Sequence, residues 1–181
     1  MAAITTTEIQ FKYSVVTGSA GNSTAGTAAG SLGKYVSTTQ WTGGSANDLF
    51  DDISGVENAA STVDYRCFFV DNTNTANPLE NAVAYLSAEV AGGASIAIGV
   101  DTTAASARGS ATAQAVTVAN ETTAPAGVTF SSPTTAGAGI ALGTIPSGSV
   151  RAVWVRRTAA NSAALSTDGV TIAVSGDTGS L

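Results

Sequence analysis

Apolar and polar residues alternate more regularly between Thr62 and Ala91 than anywhere else in the chain. From Thr62 to Val70, the two-residue period of a strand places Tyr65, Cys67 and Phe69 on one face and Asp64, Arg66 and Phe68 on the other. Asp71 to Pro78 is dense in Asn, Asp and Thr, which turn the backbone through side-chain hydrogen bonds, so a loop is expected there. Leu79 to Val90 then returns with Val83 and Tyr85 on one side and Ala82, Ala84, Leu86 and Ala88 on the other. The two runs read as antiparallel strands, either paired or facing each other across a sandwich. Tyr65, Cys67, Phe69 and Tyr85 are the expected core residues of this pair.

The same period marks further strands. Residues 8 to 15 set Ile9, Phe11, Tyr13 and Val15 against Glu8, Gln10, Lys12 and Ser14. Lys34 to Trp41, Ala94 to Val100, Ile140 to Ile145 and Gly169 to Val174 read as strands, with weaker ones at Ala113 to Val118 and Val128 to Phe130. Val150 to Arg157 is the second strongest, carrying Val150, Ala152 and Trp154 on one face and Arg151, Val153, Val155 and Arg157 on the other. Asp48 to Ser54 is expected to plug the core with Leu49, Phe50 and Ile53 from one helical turn. Many short strands without a long helical segment predict an all-β fold, an antiparallel β-sandwich of Ig-like or jelly-roll type.

Thr17 to Gly33 consists almost entirely of Gly, Ala, Ser, Thr and Asn, too little apolar surface to order alone. A flexible loop or arm that orders against a neighbour is expected. Residues 1–33 are therefore read as an N-terminal strand and arm, and 34–181 as the sandwich; a single domain over 1–181 is the alternative. Aromatic residues make up 6% of the chain and charged residues 11%, against about 25% charged in an ordinary soluble domain. A thin core and a surface covered by partners follow.

Charge and composition also exclude chemistry. The net charge of −6 resides wholly in residues 1–91, and no basic stripe exists to bind nucleic acid. No apolar run approaches the ~18 to 20 residues of a membrane span. The first residues lack the basic start and apolar block of a signal peptide, so synthesis and assembly in a cytoplasm are expected. With no histidine, Ser-His-Asp and Cys-His arrangements are impossible within the chain, and an enzyme is not expected. No cofactor is expected either. The single cysteine, Cys67, lies among aromatics and reads as a buried, unreactive thiol. Asp48, Asp51, Asp52 and Glu57 supply hard oxygens, but their spacing is not that of a calcium loop, and an acidic capping turn accounts for them.

The block Asp48-Leu49-Phe50-Asp51-Asp52-Ile53-Ser54-Gly55-Val56-Glu57-Asn58, followed by Asp64-Tyr65-Arg66-Cys67 and the strand Asn81 to Leu86, resembles virion structural proteins of tailed bacteriophages. Pro146 to Arg157 is similar to the closing strand pair of such modules. The resemblance covers a little under half the chain. It implies a β-sandwich present in many copies on a capsid or tail, without catalytic residues. The expected role is a capsid decoration or cement protein that contacts the major capsid protein or other virion proteins, with homo-oligomeric arrangement in the particle. A tail, baseplate or fibre component is the first alternative. A carbohydrate-binding module using Tyr35, Trp41 and the Asn72 to Asn77 turn is the second. Arg156 and Arg157 are expected to meet acidic patches of an adjacent subunit near Asp51 and Asp52. Trp154 is expected in the core, and Trp41, at a strand end, in the core or at a contact.

Overall fold

The structure, a computed structural model, describes residues 3–165 and 167–178. Met1 and Ala2 of the N-terminal unit, Ser166, and residues 179–181 at the end of the sandwich unit lie outside them. The elements in order are β1 (Ile9–Val15), β2 (Tyr35–Trp41), α1 (Gly55–Ala60), β3 (Val63–Asn72), β4 (Leu79–Glu89), β5 (Ser95–Val100), β6 (Ser106–Ala107), β7 (Ile140–Ile145), β8 (Ser149–Thr158) and β9 (Val170–Thr178). Two single 3-10 turns, Thr6–Glu8 and Ala136–Ala138, join them.

The strands form an antiparallel β-sandwich, as the alternation predicts. One sheet runs β2-β1-β3-β8-β5, with β6 also paired to β8; the other runs β7-β4-β9. The strands β3 and β4 thus face each other across the sandwich instead of pairing. Between the sheets lie Phe68, Val70, Ile96, Ile98, Val153 and Val155 from the larger one, against Leu79, Ala82, Ala84, Leu86, Leu142, Ile145 and Ile172 from the smaller.

The larger sheet is also covered on its other face. Val36, Cys67, Phe69, Val150, Ala152 and Trp154 pack there against Ala115 and Val118, with Leu32, Val128 and Phe130 at the margin. That cover is made of loops, including the stretches 113–118 and 128–130 that the alternation marks as weak strands. Short alternation specifies that a segment has one apolar side, and a loop lying flat on a sheet satisfies it as well as a strand does.

The stretch 17–33 belongs to the same cover. It does not extend as an arm. The Gly21 amide donates to the Ser110 carbonyl at 2.8 Å, the Asn22 amide to Val36 at 2.7 Å and the Thr38 amide to Thr24 at 2.9 Å. Small side chains let this backbone approach the sheet closely. At Gly33, φ is 94°, and a Cβ would strike the Val116 carbonyl and come within 3.1 Å of Trp154. The loop also completes the hydrogen bonding of β3, because β1 pairs β3 only from Tyr13 opposite Phe68 to Ile9 opposite Asn72. Past the end of that pairing, the Cys67 amide donates to Ser31 at 2.8 Å and the Tyr65 amide to Glu121 at 2.7 Å. The first half of β3 would otherwise bury unpaired amides. The strand β1 itself lies between β2 and β3, an interior strand of the sheet.

Two sequence expectations change with these layers. Tyr85 is only partly buried, because β4 turns Ala82, Ala84 and Leu86 inward and Val83 and Tyr85 outward. The opposing face already carries the bulk of Phe68 and its aromatic neighbours, and small residues complete that volume. Asp48 to Ser54 is not helical; the helix starts at Gly55. Leu49 nevertheless enters the inter-sheet core, with Phe50 packed beside it.

Candidate functional site

Three stretches far apart in the chain meet at the end of the sandwich where β3 begins and β8 finishes: Asp48 to Asp52, Asp64 to Arg66, and Arg156 with Arg157. The β3–β8 register places Asp64 opposite Arg157 and Tyr65 opposite Arg156. The Arg157 Nη2 donates to Asp64 Oδ2 at 2.8 Å and its Nε to the same oxygen at 3.2 Å. Its Nη1 donates to the Asp51 carbonyl, and its Nη2 lies 3.4 Å from the Asp51 carboxylate. Arg66 pairs with Glu121.

Phe50 stacks against both guanidinium groups, with Arg157 Cζ 4.7 Å and Arg66 Cζ 5.8 Å from the ring centroid. Each cation is thus neutralised by a carboxylate and shielded by an aromatic face. Next to the cluster lies a recess of about 200 Å³ lined by Ala28, Ala29, Asn47, Leu49, Asp51 and Arg66.

The contact expected between Arg157 and Asp51 therefore exists, but within one chain. Arg157 is 6% exposed and unavailable to another subunit. Arg156 points the opposite way and stacks on Phe130 at 5.3 Å. Adjacent residues of a strand face opposite sides, so the two arginines cannot serve one contact. Asp51 and Asp52 are exposed. Trp41 belongs to a core aromatic triangle, 5.8 Å from Phe11 and 5.3 Å from Phe68, with its ring plane at 68° to the latter. Trp154, Cys67 and Phe69 are fully buried, as expected. Tyr65 is partly buried and packs on Phe130 at 5.5 Å.

Burial pushes the Cys67 thiol well above its usual range; the Asp101 charge adds to the rise and a hydrogen bond with Ser14 opposes it. Tyr35 and Trp41 serve different layers, since the Tyr35 hydroxyl donates to the Ala111 carbonyl in the loop cover while Trp41 packs between the sheets. The turn at residues 72–77 is occupied internally as well: the Asn72 Nδ2 donates to the carbonyls of Asn77 and Ile145, each at 3.0 Å.

Further buried polar groups escape sequence reading. Asp71, fully buried, lies 3.1 Å from Lys12 Nζ and 2.7 Å from Arg108 Nη2. Asp101 accepts from Trp154 Nε1 at 2.7 Å and from the Val116 amide at 3.0 Å. Gln114 accepts from the Val36 amide at 3.0 Å and donates to the Ala107 carbonyl at 2.9 Å. The one signal for Asp71 was its position continuing the alternation of β3. Asp101 and Gln114 stand in loops; Gln114 falls on the polar side of the weak alternation over 113–118, which does not show that it is buried.

Together these groups define a β-sandwich whose ionic side chains lock its strands and loops to one another. Among the described residues, no group of three or more His, Cys, Asp or Glu side chains is placed to hold a metal ion. Comparison with known protein families, with characterised proteins and with solved structures finds no match for the chain.

Proposed function

We propose that this chain is a non-enzymatic structural protein of a tailed-phage virion, acting as a capsid decoration or cement protein. The observation that supports this reading is spatial. Residues from three of the segments that carry the resemblance, Phe50 and Asp51 of 48–58, Asp64 and Arg66 of 64–67, and Arg157 of 146–157, meet in one cluster, while the fourth, 81–86, lies in the other sheet. A motif scattered in sequence but joined in space behaves as one structural unit.

The mechanism follows from rigidity. Loops on the outer face of the larger sheet are pinned to it, so contacts with neighbours come from preformed surfaces that cost little ordering entropy on binding. Modest contacts repeated over a symmetric shell then sum to a large stabilisation, because the interface exists only in the assembled state. Partners in this reading are the major capsid protein and further copies of the chain.

The test separates intact particles into heads and tails and quantifies this chain in each by mass spectrometry. Recovery with heads at a copy number near that of the major capsid protein is the expected result. Recovery with tails at low copy replaces decoration with a tail role, and absence from both overturns the virion reading.

A further inference from the structure

We infer that the α1 end of the sandwich is a docking surface for a protein partner that presents an apolar patch flanked by lysine or arginine. The inference rests on this surface alone and not on the virion reading. Among the described residues, the exposed large hydrophobic side chains are Val56 at 81%, Leu165 at 40% and Val90 at 39%. All three stand at the same end.

Val56 lies in α1, Val90 just after β4, and Leu165 in the loop between β8 and β9, and hydrogen bonds tie these segments together. Asn58 Nδ2 donates to the Ser162 carbonyl at 2.7 Å, and the Ser162 hydroxyl to the Gly92 carbonyl at 3.2 Å. The Val90 amide donates to Gly169 at 2.9 Å, and the Ala94 amide to the Asp168 carboxylate at 2.7 Å. At Gly93 a Cβ would collide with that carboxylate, so glycine permits the tie. The surface is preformed. Exposed apolar residues gathered within a polar rim mark interaction sites more often than isolated ones do.

Charge selects the partner. The exposed carboxylates among the described residues are Asp51, Asp52, Glu89, Asp168 and Asp177, and the first four stand at this end. Among the described residues no lysine or arginine is as open to solvent as these carboxylates: Lys12, Arg66 and Arg157 are buried, and Lys34, Arg108, Arg151 and Arg156 are partly exposed. A second copy would bring carboxylates against carboxylates, with Arg156, partly exposed and stacked on Phe130, the one cation at this end among the described residues that is not buried. Nucleic acid and anionic membranes would be repelled for the same reason. A basic protein surface with an apolar centre fits both features.

The probes are two amphipathic helical peptides, each with leucines along one face, flanked by lysines in one and by glutamates in the other. They are titrated into the full, isotope-labelled chain and followed by amide chemical shifts. The lysine peptide is expected to shift residues 55–60, 90–94 and 159–165 at about 0.01 M salt, and to bind much more weakly at about 1 M, where charges are screened. The glutamate peptide is expected not to bind. The pair Val56→Ser and Leu165→Ser, exposed enough to leave the thermal midpoint unchanged, is expected to weaken the lysine peptide about tenfold. No binding, equal binding of both peptides, shifts centred elsewhere, or an unaffected double variant each overturns the inference. So does dimerisation through this end in sedimentation runs. Head and tail recovery tests the virion reading separately.

Discussion

The guanidinium of Arg157 and the carboxylate of Asp64 meet across the β3–β8 ladder at 2.8 Å, both nearly inaccessible to water. Removing one partner leaves the other charge buried and uncompensated, whereas removing both leaves none. Arg157→Ala is therefore expected to cost about 3–5 kcal/mol. For a chain of this size that is about 6–20 °C in thermal midpoint. The double variant Arg157→Met with Asp64→Leu is expected to recover most of the loss. Calorimetry decides; an Arg157→Ala midpoint within a degree or two of the parent would refute the pairing as a structural lock.

Trp154 ties the larger sheet to its loop cover through the Nε1 bond to Asp101. Trp154→Phe keeps most of the volume and removes the donor, while Asp101 keeps the Val116 amide. A loss of about 1–3 kcal/mol in urea unfolding is expected, the usual cost of a buried group left short of a partner. In the Trp41→Phe variant, emission from the fully buried Trp154 should resist iodide quenching. Quenching as strong as in the unfolded chain would contradict its burial.

The buried thiol makes stability sensitive to alkaline pH. The folded-state pKa of Cys67 is raised, chiefly by burial, so the unfolded chain ionises first and binds fewer protons above its ordinary pKa. The contribution to stability is complete below about pH 8.5 and declines above it by about 1.4 kcal/mol per pH unit until the folded thiol ionises. Cys67→Ala is expected to flatten this component when urea midpoints are compared across pH 8 to 10. Native Cys67 should react with a thiol reagent only as fast as the protein opens. Rapid labelling of the folded chain would rule out this account.

The α1 N-terminus titrates in the opposite sense. The Glu57 side chain accepts from the Ser54 amide at 2.7 Å, and Ser54 Oγ accepts from the Glu57 amide at 3.3 Å. Hydrogen bonds from the Ser54 side chain, then its backbone, hold the Glu57 carboxyl below its ordinary value. The stabilisation is present above the unfolded-state value of about 4.3 and disappears as pH falls through the lower folded-state value. Ser54→Ala is expected to raise the Glu57 titration midpoint observed by NMR. An unchanged midpoint would show that the box does not hold the carboxylate.

Much of the fold was legible along the chain. Eight of the nine strands among the described residues coincide with runs of alternating residues, and Val150 to Arg157 was readable to the face, with Trp154 on one side and Val155 on the other. The two-residue sheet strand Ser106–Ala107 was not, since two residues carry no period. Nor did alternation distinguish the loop cover at 113–118 and 128–130 from strands. The candidate site was legible only in its parts: Phe50 reads as a core plug and Asp64 as a strand residue, while the expected partner of Arg157, Asp51, lies in the same chain and not in an adjacent subunit.

What the sequence by itself determined is local: backbone pleat makes side chains alternate, so strand positions and the two sides of each strand are written in the residue order. What the tertiary structure alone decided is which side meets which. Tyr85 turned out because Ala82, Ala84 and Leu86 complete the packing opposite Phe68. The 17–33 stretch folded onto its own sheet because the Cys67 amide, past the end of the β1–β3 pairing, needed an acceptor, which Ser31 supplies. Arg157 turned inward because the ladder register set Asp64 opposite it. Volume filling, hydrogen-bond satisfaction and charge neutralisation act between residues far apart in the chain, and no local pattern records them.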